Sequence, residues 1–97
     1  MGKIKVVIKR PDEEVGHITW ISNTLENLQR TVGGYIETVT FGDLVIICDE
    51  EGRLKGKEHN CRIENVDFVG TIIGVGSEGD SFSDVPLSMS GWKSLIR

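Results

Sequence analysis

The residues of this sequence best suited to covalent chemistry are two histidines and two cysteines. His59 precedes Cys61 by two positions, and residues two apart on an extended chain point to the same side, so a Cys–His pair is one interpretation. Nucleophilic catalysis also needs a third group that orients the base and donors that stabilise an oxyanion, and no motif supplies them. His17 lies in a predicted strand and Cys48 ends an apolar run, where both are expected to be structural. We therefore predict a protein that is not an enzyme and has no catalytic residues.

The same side chains do not predict a metal or cofactor site. A structural zinc site needs about four ligands at characteristic spacing, whereas Cys48, His59 and Cys61 supply three without a paired motif. The acidic run 49–51 lacks the alternating carboxylates of a calcium-binding EF-hand loop. Two cysteines are also too few for a disulfide framework. We expect no metal, no cofactor and reduced thiols.

Binding is better supported than catalysis, because polar side chains collect in a segment between apolar strands. The segment 57–62 carries two basic residues, an imidazole and an amide in a predicted loop, and Tyr35 offers a surface for stacking. The backbone amides of Gly33 and Gly34 could face an anion. They follow a predicted helix C-terminus, however, where the dipole disfavours phosphate, so a helix stop followed by a turn is the favoured interpretation. A phosphate there would need a basic side chain, from Arg30, Lys57 or Arg62.

The elements that must position these residues begin with two strands. Residues 3–10 show an alternating pattern, which predicts that Ile4, Val6 and Ile8 face a core while Lys3, Lys5 and Lys9 face water. Pro11 ends this strand, and residues 16–21 form a second strand that completes a hairpin.

A helix follows, with agreeing signals for its start, face and stop. Asn23 is the predicted N-cap, with Glu26 three residues later as its capping-box partner. Leu25, Leu28 and Val32 give one apolar stripe, and Gly33 permits the left-handed conformation that ends a helix.

The rest of the chain predicts further strands and one short helix. Residues 35–41 and 44–48 form a hairpin whose Gly42–Asp43 turn fits type II′, and the second strand is apolar enough to be covered on both faces. Leu54 is predicted to start a short return strand before a polar loop over 55–60. Residues 68–75 are predicted as a strand, 76–84 as a loop, and Ser88 or Ser90 as the cap of a helix carrying Trp92. The sum is one α+β domain over residues 1–97: a mostly antiparallel sheet of about five strands, one main helix and a short C-terminal helix.

Composition narrows the classes of partner. Fifteen acidic and eleven basic residues give a net charge of −4, the reverse of the basic excess typical of nucleic-acid binders. No apolar stretch approaches the ~20 residues that span a bilayer, and no signal peptide is visible. We expect a cytoplasmic protein that binds neither nucleic acid nor membrane. A small core and the need to cover sheet edges favour a homo-oligomer.

The order of motifs resembles a family of small proteins of unknown function that are common in phages and mobile elements of Gram-positive bacteria. In that family a helix ends in Val-Gly-Gly-Tyr-Ile-Glu, which is similar to residues 32–37. An acidic turn ending in Gly-Arg/Lys-Leu, an asparagine and a Gly-Thr-aliphatic strand follow, and they are similar to residues 49–54, Asn60 and residues 70–73. The match spans residues 3–79. The resemblance implies a contact set of Gly33, Gly34, Tyr35, Glu37, Asn60 and Arg62.

What the resemblance implies about function is a phage accessory protein that counters host immunity. The leading hypothesis is a non-enzymatic binding protein that sequesters a nucleotide-derived signalling molecule. One alternative is a protein inhibitor that binds a host defence effector such as a CRISPR nuclease. The other alternative is a small enzyme acting on a nucleotide.

Overall fold

The two alternating N-terminal segments form the predicted hairpin. In the computed structural model, which describes residues 2–97, β1 (Lys3–Lys9) and β2 (His17–Ser22) pair antiparallel, with Ile4 opposite Ile21. Lys9 departs from the prediction that it faces water: only 3% of its surface is exposed. Alternation places Lys9 on the sheet face opposite Ile8, and that face is covered by a later part of the chain.

Helix α1 (Leu25–Val32) follows β2 and ends as predicted. Gly33 stands at its C-terminus with φ 84°, in the left-handed region that favours glycine. The predicted N-cap is wrong by one residue: Thr24 caps the helix and its Oγ1 accepts a hydrogen bond from the amide of Asn27 at 3.2 Å. Asn23 instead donates from Nδ2 to the carbonyl of Phe82 at 3.1 Å, so its amide ties the helix start to a distant strand.

The hairpin after the helix forms the other end of the sheet. β3 (Ile36–Phe41) pairs with β4 (Leu44–Asp49), and Phe41 lies opposite Leu44 across a two-residue turn. Gly42 has φ 62°, whereas Asp43 is not left-handed, a combination that fits the predicted type II′ turn. All six residues of β4 are buried, which confirms that this strand is covered on both faces.

The chain between Glu50 and Asn60 differs from the prediction. Residues 51–56 are turns, Leu54 is 87% exposed, and no return strand begins there. The predicted polar loop 55–60 ends in a strand, because β5 (His59–Ile63) pairs with β6 (Val66–Val69) in a separate two-stranded sheet. Three of the five residues of β5 are buried, so this segment forms part of the core instead of an exposed loop.

The last strands lie at other positions than predicted. The predicted strand 68–75 is interrupted at Gly70, which has φ 72°, and β7 (Ile72–Glu78) begins after it. The predicted loop 76–84 is in fact the end of β7 and its short partner β8 (Ser81–Ser83). α2 (Met89–Leu95) follows, with Ser88 as its N-cap, one of the two predicted caps.

These elements form a sandwich around an entirely antiparallel sheet. The order is β2-β1-β7-β4-β3, with β8 attached to β7. One face packs on α1 through Leu28 and Val32, and the other packs on α2 and the β5–β6 hairpin around Trp92. The α+β class is confirmed, with one main helix and one short C-terminal helix. Among the described residues no helix is long and apolar enough to cross a membrane.

Candidate functional site

The six residues predicted to contact a ligand do not surround one cavity. Gly33, Gly34 and Tyr35 line a cleft where α1 meets β3. Glu37 borders a second cleft and Asn60 a third, on other parts of the surface. Arg62 lies on β5, lines none of these three clefts, and donates from Nε to the carbonyl of Glu64 at 3.3 Å. The six predicted residues are therefore distributed over different parts of the surface.

The cleft at the α1–β3 junction keeps the contiguous half of the predicted set. We call it the junction cleft; its volume is about 550 Å³, and it is lined by Glu26, Gln29, Arg30, Gly33, Gly34, Tyr35, Glu51 and Lys55. The Tyr35 side chain is 69% exposed. Arg30 is exposed as well, and its guanidinium makes no hydrogen bond or ion pair with any described residue. The junction cleft thus offers a free aromatic face and a free guanidinium.

The backbone amides of Gly33 and Gly34 already donate hydrogen bonds within the protein. The amides of Gly33 and Gly34 both donate to the carbonyl of Gln29, at 2.8 and 3.1 Å. This is the hydrogen-bonding pattern of a helix end, so the predicted helix stop and turn are confirmed and the amides do not form an anion nest. A Cβ on residue 34 would lie 2.6 Å from Oδ1 of Asp49, so there is no room for a side chain at this position and glycine fits it.

The carboxylate of Asp49 lies against that turn and binds two lysines. Its carboxylate is 1% exposed, and Oδ2 lies 2.8 Å from the Nζ atoms of both Lys55 and Lys57. Burial alone raises the pKa of Asp49, but hydrogen bonds from the two lysines and from the amide of Glu51 more than offset it, and the pKa lies well below its usual range. Lys57, which the sequence offered as a phosphate ligand, is thus committed to a buried ion pair.

The second cleft is acidic and lies between β3 and the β5–β6 hairpin. We call it the acidic cleft; it has a volume of about 440 Å³. Its carboxylates belong to Glu37, Glu50 and Asp67, besides the buried Asp49, and Arg53 is its one cation among the described residues. Leu54 stands at its border, 87% exposed. This surface could attract a cationic partner but repels a phosphate.

Asn60 is a buried structural residue at the base of the third cleft. Its Nδ2 donates to the carbonyls of Lys9 and Gly70 at 2.8 and 2.7 Å, and its Oδ1 accepts from Nζ of Lys9 at 2.8 Å. Sequence reasoning missed Lys9 because strand alternation alone predicts a solvent-facing lysine. No local signal reveals a partner 51 residues away.

Neither cysteine nor histidine is arranged for nucleophilic attack. Burial raises the pKa of Cys48 to about 11, helped by the nearby carboxylates of Glu37 and Asp49, and burial raises the pKa of Cys61 as well. His59 is exposed while Cys61 is buried, because the strand pairing is irregular between them. His59 instead lies 3.3 Å from Asp67. Within residues 2–97, no group of three or more His, Cys, Asp or Glu side chains could hold a metal ion.

Comparison with protein-family models gives a match over nearly the whole chain. A family model described as "Domain of unknown function (DUF3846)" matches residues 4–95, which include every strand from β2 to β8 and both helices. No curated protein and no solved structure matches the chain. The family description assigns no activity, so a function has to be argued from the clefts themselves.

Proposed function

We propose that this chain, which belongs to the DUF3846 family of domains of unknown function, is a non-enzymatic binding protein that captures a nucleotide-derived signalling molecule. In the biological setting we propose, it is a phage or mobile-element protein that blunts a host defence in the host cytoplasm. The proposed ligand site is the junction cleft.

The observation that carries the proposal is that Tyr35 and Arg30 line the same cleft. An exposed tyrosine ring provides a stacking surface for a nucleobase, and base stacking is tolerant of base identity. A planar guanidinium binds two phosphate oxygens at once, and that of Arg30 is free to do so. The cleft volume of about 550 Å³ also suits a small ligand. Together the two side chains recognise the two halves of a nucleotide.

The setting rests on a resemblance and on the shape of the sheet. Residues 32–37 resemble the Val-Gly-Gly-Tyr-Ile-Glu run of small phage proteins. β2 and β3 are the edge strands of the main sheet, and unpaired edges are commonly covered by a second copy or a partner. A homo-oligomer that encloses the bound molecule would be an effective form for sequestration.

Binding without turnover is favoured by the state of the cysteines. Both are buried with raised pKa values, so they remain protonated thiols at neutral pH and are poor nucleophiles. Besides Tyr35 and Arg30, the junction cleft presents the carboxylates of Glu26 and Glu51, and neither cysteine nor histidine lines it.

Isothermal titration calorimetry with AMP and with cyclic di-AMP tests the site. Wild-type protein should bind at least one of them, and Tyr35→Ala and Arg30→Ala should each weaken binding by about tenfold or more, because stacking or a charged hydrogen bond contributes roughly that much. Arg62→Ala is the matched control: it removes an exposed arginine outside the cleft and should bind as wild type does.

Two outcomes would overturn the proposal. One is the absence of heat with either nucleotide, and the other is unchanged affinity in both Tyr35→Ala and Arg30→Ala. Chromatography of the nucleotide after incubation separates binding from catalysis. The proposal expects unaltered nucleotide, whereas steady conversion would favour the alternative of a small nucleotide-acting enzyme.

The acidic cleft favours a second candidate function, a protein inhibitor of a host defence effector such as a CRISPR nuclease. Glu37 and Glu50 present negative charge beside the exposed Leu54, as expected of a surface that docks on a basic protein. A complex with a purified effector should weaken as salt rises and should be lost in Glu37→Lys. Asp80→Lys, which makes the same charge change away from the cleft, should leave it intact; equal losses in both variants would exclude this cleft.

A further inference from the structure

The most unusual polar group in the protein is a buried lysine without an acidic partner. Lys9 is 3% exposed, and no carboxylate oxygen of the described residues lies within 4.0 Å of its Nζ. The ammonium donates at 2.8 Å to Oδ1 of Asn60, and the carbonyls of Asn60 and Arg10 are more distant, at 3.4 and 3.5 Å. All three acceptors are neutral, so the hydrogen bonds are largely satisfied while the charge is not compensated.

The lysine is held firmly in this position. Asn60 is fixed by its own two donations, to the carbonyls of Lys9 and Gly70, and these determine that Oδ1 and not Nδ2 faces the ammonium. Asn60 and Lys9 are thus locked to each other across β1 and β5. Burying a charge is costly unless it is paired, and no carboxylate of the described residues pairs with this one.

Lys9 lines a cleft whose other charged side chains are mostly cationic. We call it the basic cleft; its volume is about 430 Å³. Lys93 and Arg97 line its rim, and Glu14 is its only acidic side chain among the described residues. Three cationic side chains and one carboxylate leave an excess of two positive charges, in a protein whose net charge is −4.

The rim cations are available to a ligand. Lys93 is exposed and makes no side-chain hydrogen bond or ion pair with the described residues. Arg97 donates from Nη1 only to carbonyls, those of Ser94 and Ile96. Its backbone pairs with that of Arg62 at 2.8 and 3.0 Å, which fixes the segment beside the cleft. A cleft lined by one arginine and two lysines suits an oxyanion.

We propose that the basic cleft binds a small phosphate-bearing molecule, with the phosphate between Lys9, Lys93 and Arg97. More cationic than acidic side chains line the cleft, which favours an anionic phosphate group. Val15 and Ile96 provide an apolar wall for the rest of a compact ligand. This site is independent of the junction cleft, because it opens on the α2 side of the sheet while the junction cleft opens at the end of α1.

Calorimetric titration with inorganic phosphate and with pyrophosphate, against a chloride background, tests the site. Wild-type protein should bind at least one of the two, and Lys93→Gln should weaken binding by about tenfold, the factor expected for one charged hydrogen bond. Lys93 is exposed, so this variant should keep its fold. Lys3→Gln is the matched control, since Lys3 is an exposed lysine that does not line the cleft. Lys9→Met, which keeps the length of the side chain without its charge, should abolish binding.

The outcomes distinguish specific binding in the basic cleft from non-specific electrostatic attraction and from binding in the junction cleft. Specific binding is supported when Lys93→Gln loses affinity while Lys3→Gln and Tyr35→Ala do not. Absence of binding by wild-type protein overturns the proposal, and so does an equal loss in Lys3→Gln and Lys93→Gln. If Lys9→Met does not fold, Lys93→Gln and Arg97→Gln still decide the question, because both residues are exposed.

Discussion

The ammonium of Lys57 joins Asp49 to the last turn of α1. Its Nζ lies 2.8 Å from Oδ2 of Asp49 and donates at 2.7 Å to the carbonyl of Val32. Lys55 makes the parallel contacts, to the same carboxylate oxygen and to the carbonyl of Gly33. Two cations at a helix C-terminus satisfy its free carbonyls and complement its dipole, while the buried carboxylate between them holds both in place.

Replacing Asp49 should therefore destabilise the fold more than its small size suggests. Asp49→Asn keeps the shape but leaves two lysines without their counter-ion, and breaking a buried ion pair costs about 3 kcal/mol of unfolding free energy. Urea denaturation followed by circular dichroism measures the change. Glu50→Gln is the control, since it neutralises an exposed neighbour and should alter stability by less than about 0.5 kcal/mol. Equal stability of Asp49→Asn and wild type would show that the two lysines are well solvated.

The same carboxylate predicts how stability depends on pH. Its pKa is depressed in the folded protein, so the unfolded chain binds a proton more readily than the folded one. The stabilisation is fully present above the ordinary carboxyl pKa of about 3.9 and is lost as pH falls toward the lower folded value. Unfolding midpoints in urea at pH 7, 5, 4 and 3 should drop more steeply for wild type than for Asp49→Asn. Parallel curves would mean that other carboxylates govern acid unfolding.

Trp92 is the second residue whose replacement should be costly. It is fully buried, its ring approaches Gly74 so closely that a Cβ there would lie 3.0 Å from Cζ3, and its Nε1 donates to the carbonyl of Val15 at 2.7 Å. Trp92→Phe should lower the unfolding free energy by about 2 kcal/mol, because it leaves that carbonyl unpaired and opens a small cavity. Trp20→Phe, on a tryptophan that is 55% exposed, is the matched control. Similar losses in both would contradict a core role specific to Trp92.

Local signals in the sequence account for the parts of the fold that were predicted. β1 follows from its alternating pattern, α1 from Gly33 after an apolar stripe, and the β3–β4 turn from Gly42 between two apolar runs. β8 has no such signal, because its serines pair through backbone atoms with the end of β7. The N-cap was misplaced because Asn23 and Thr24 are both competent caps, and a contact to Phe82 determines which of them serves.

The candidate sites show the same contrast between features with a local sequence signal and features set by distant contacts. Gly33, Gly34 and Tyr35 were predicted together and lie together, because neighbours in sequence share one corner of the fold. Asn60 and Arg62 were assigned to a polar loop and included through the family resemblance, whereas they lie in the paired strand β5, away from that corner. The basic cleft could not be predicted, since it needs β1, β5 and α2 to meet, and sheet order decides that.

Replacement of Asn60 tests whether its buried hydrogen bonds stabilise the place where β1 meets β5. Asn60→Ala removes one acceptor from a buried ammonium and two donors from the carbonyls of Lys9 and Gly70. Three buried polar groups then lose a partner, at a cost of about 1 kcal/mol or more each, so the unfolding free energy should fall by about 3 kcal/mol or more. Asn65→Ala, which truncates an exposed asparagine in the β5–β6 turn, should change it by less than about 0.5 kcal/mol. Urea denaturation of both variants beside wild type makes the comparison. A loss below about 1 kcal/mol in Asn60→Ala would show that water replaces the amide, and Lys9 would then not be held by the contacts described above.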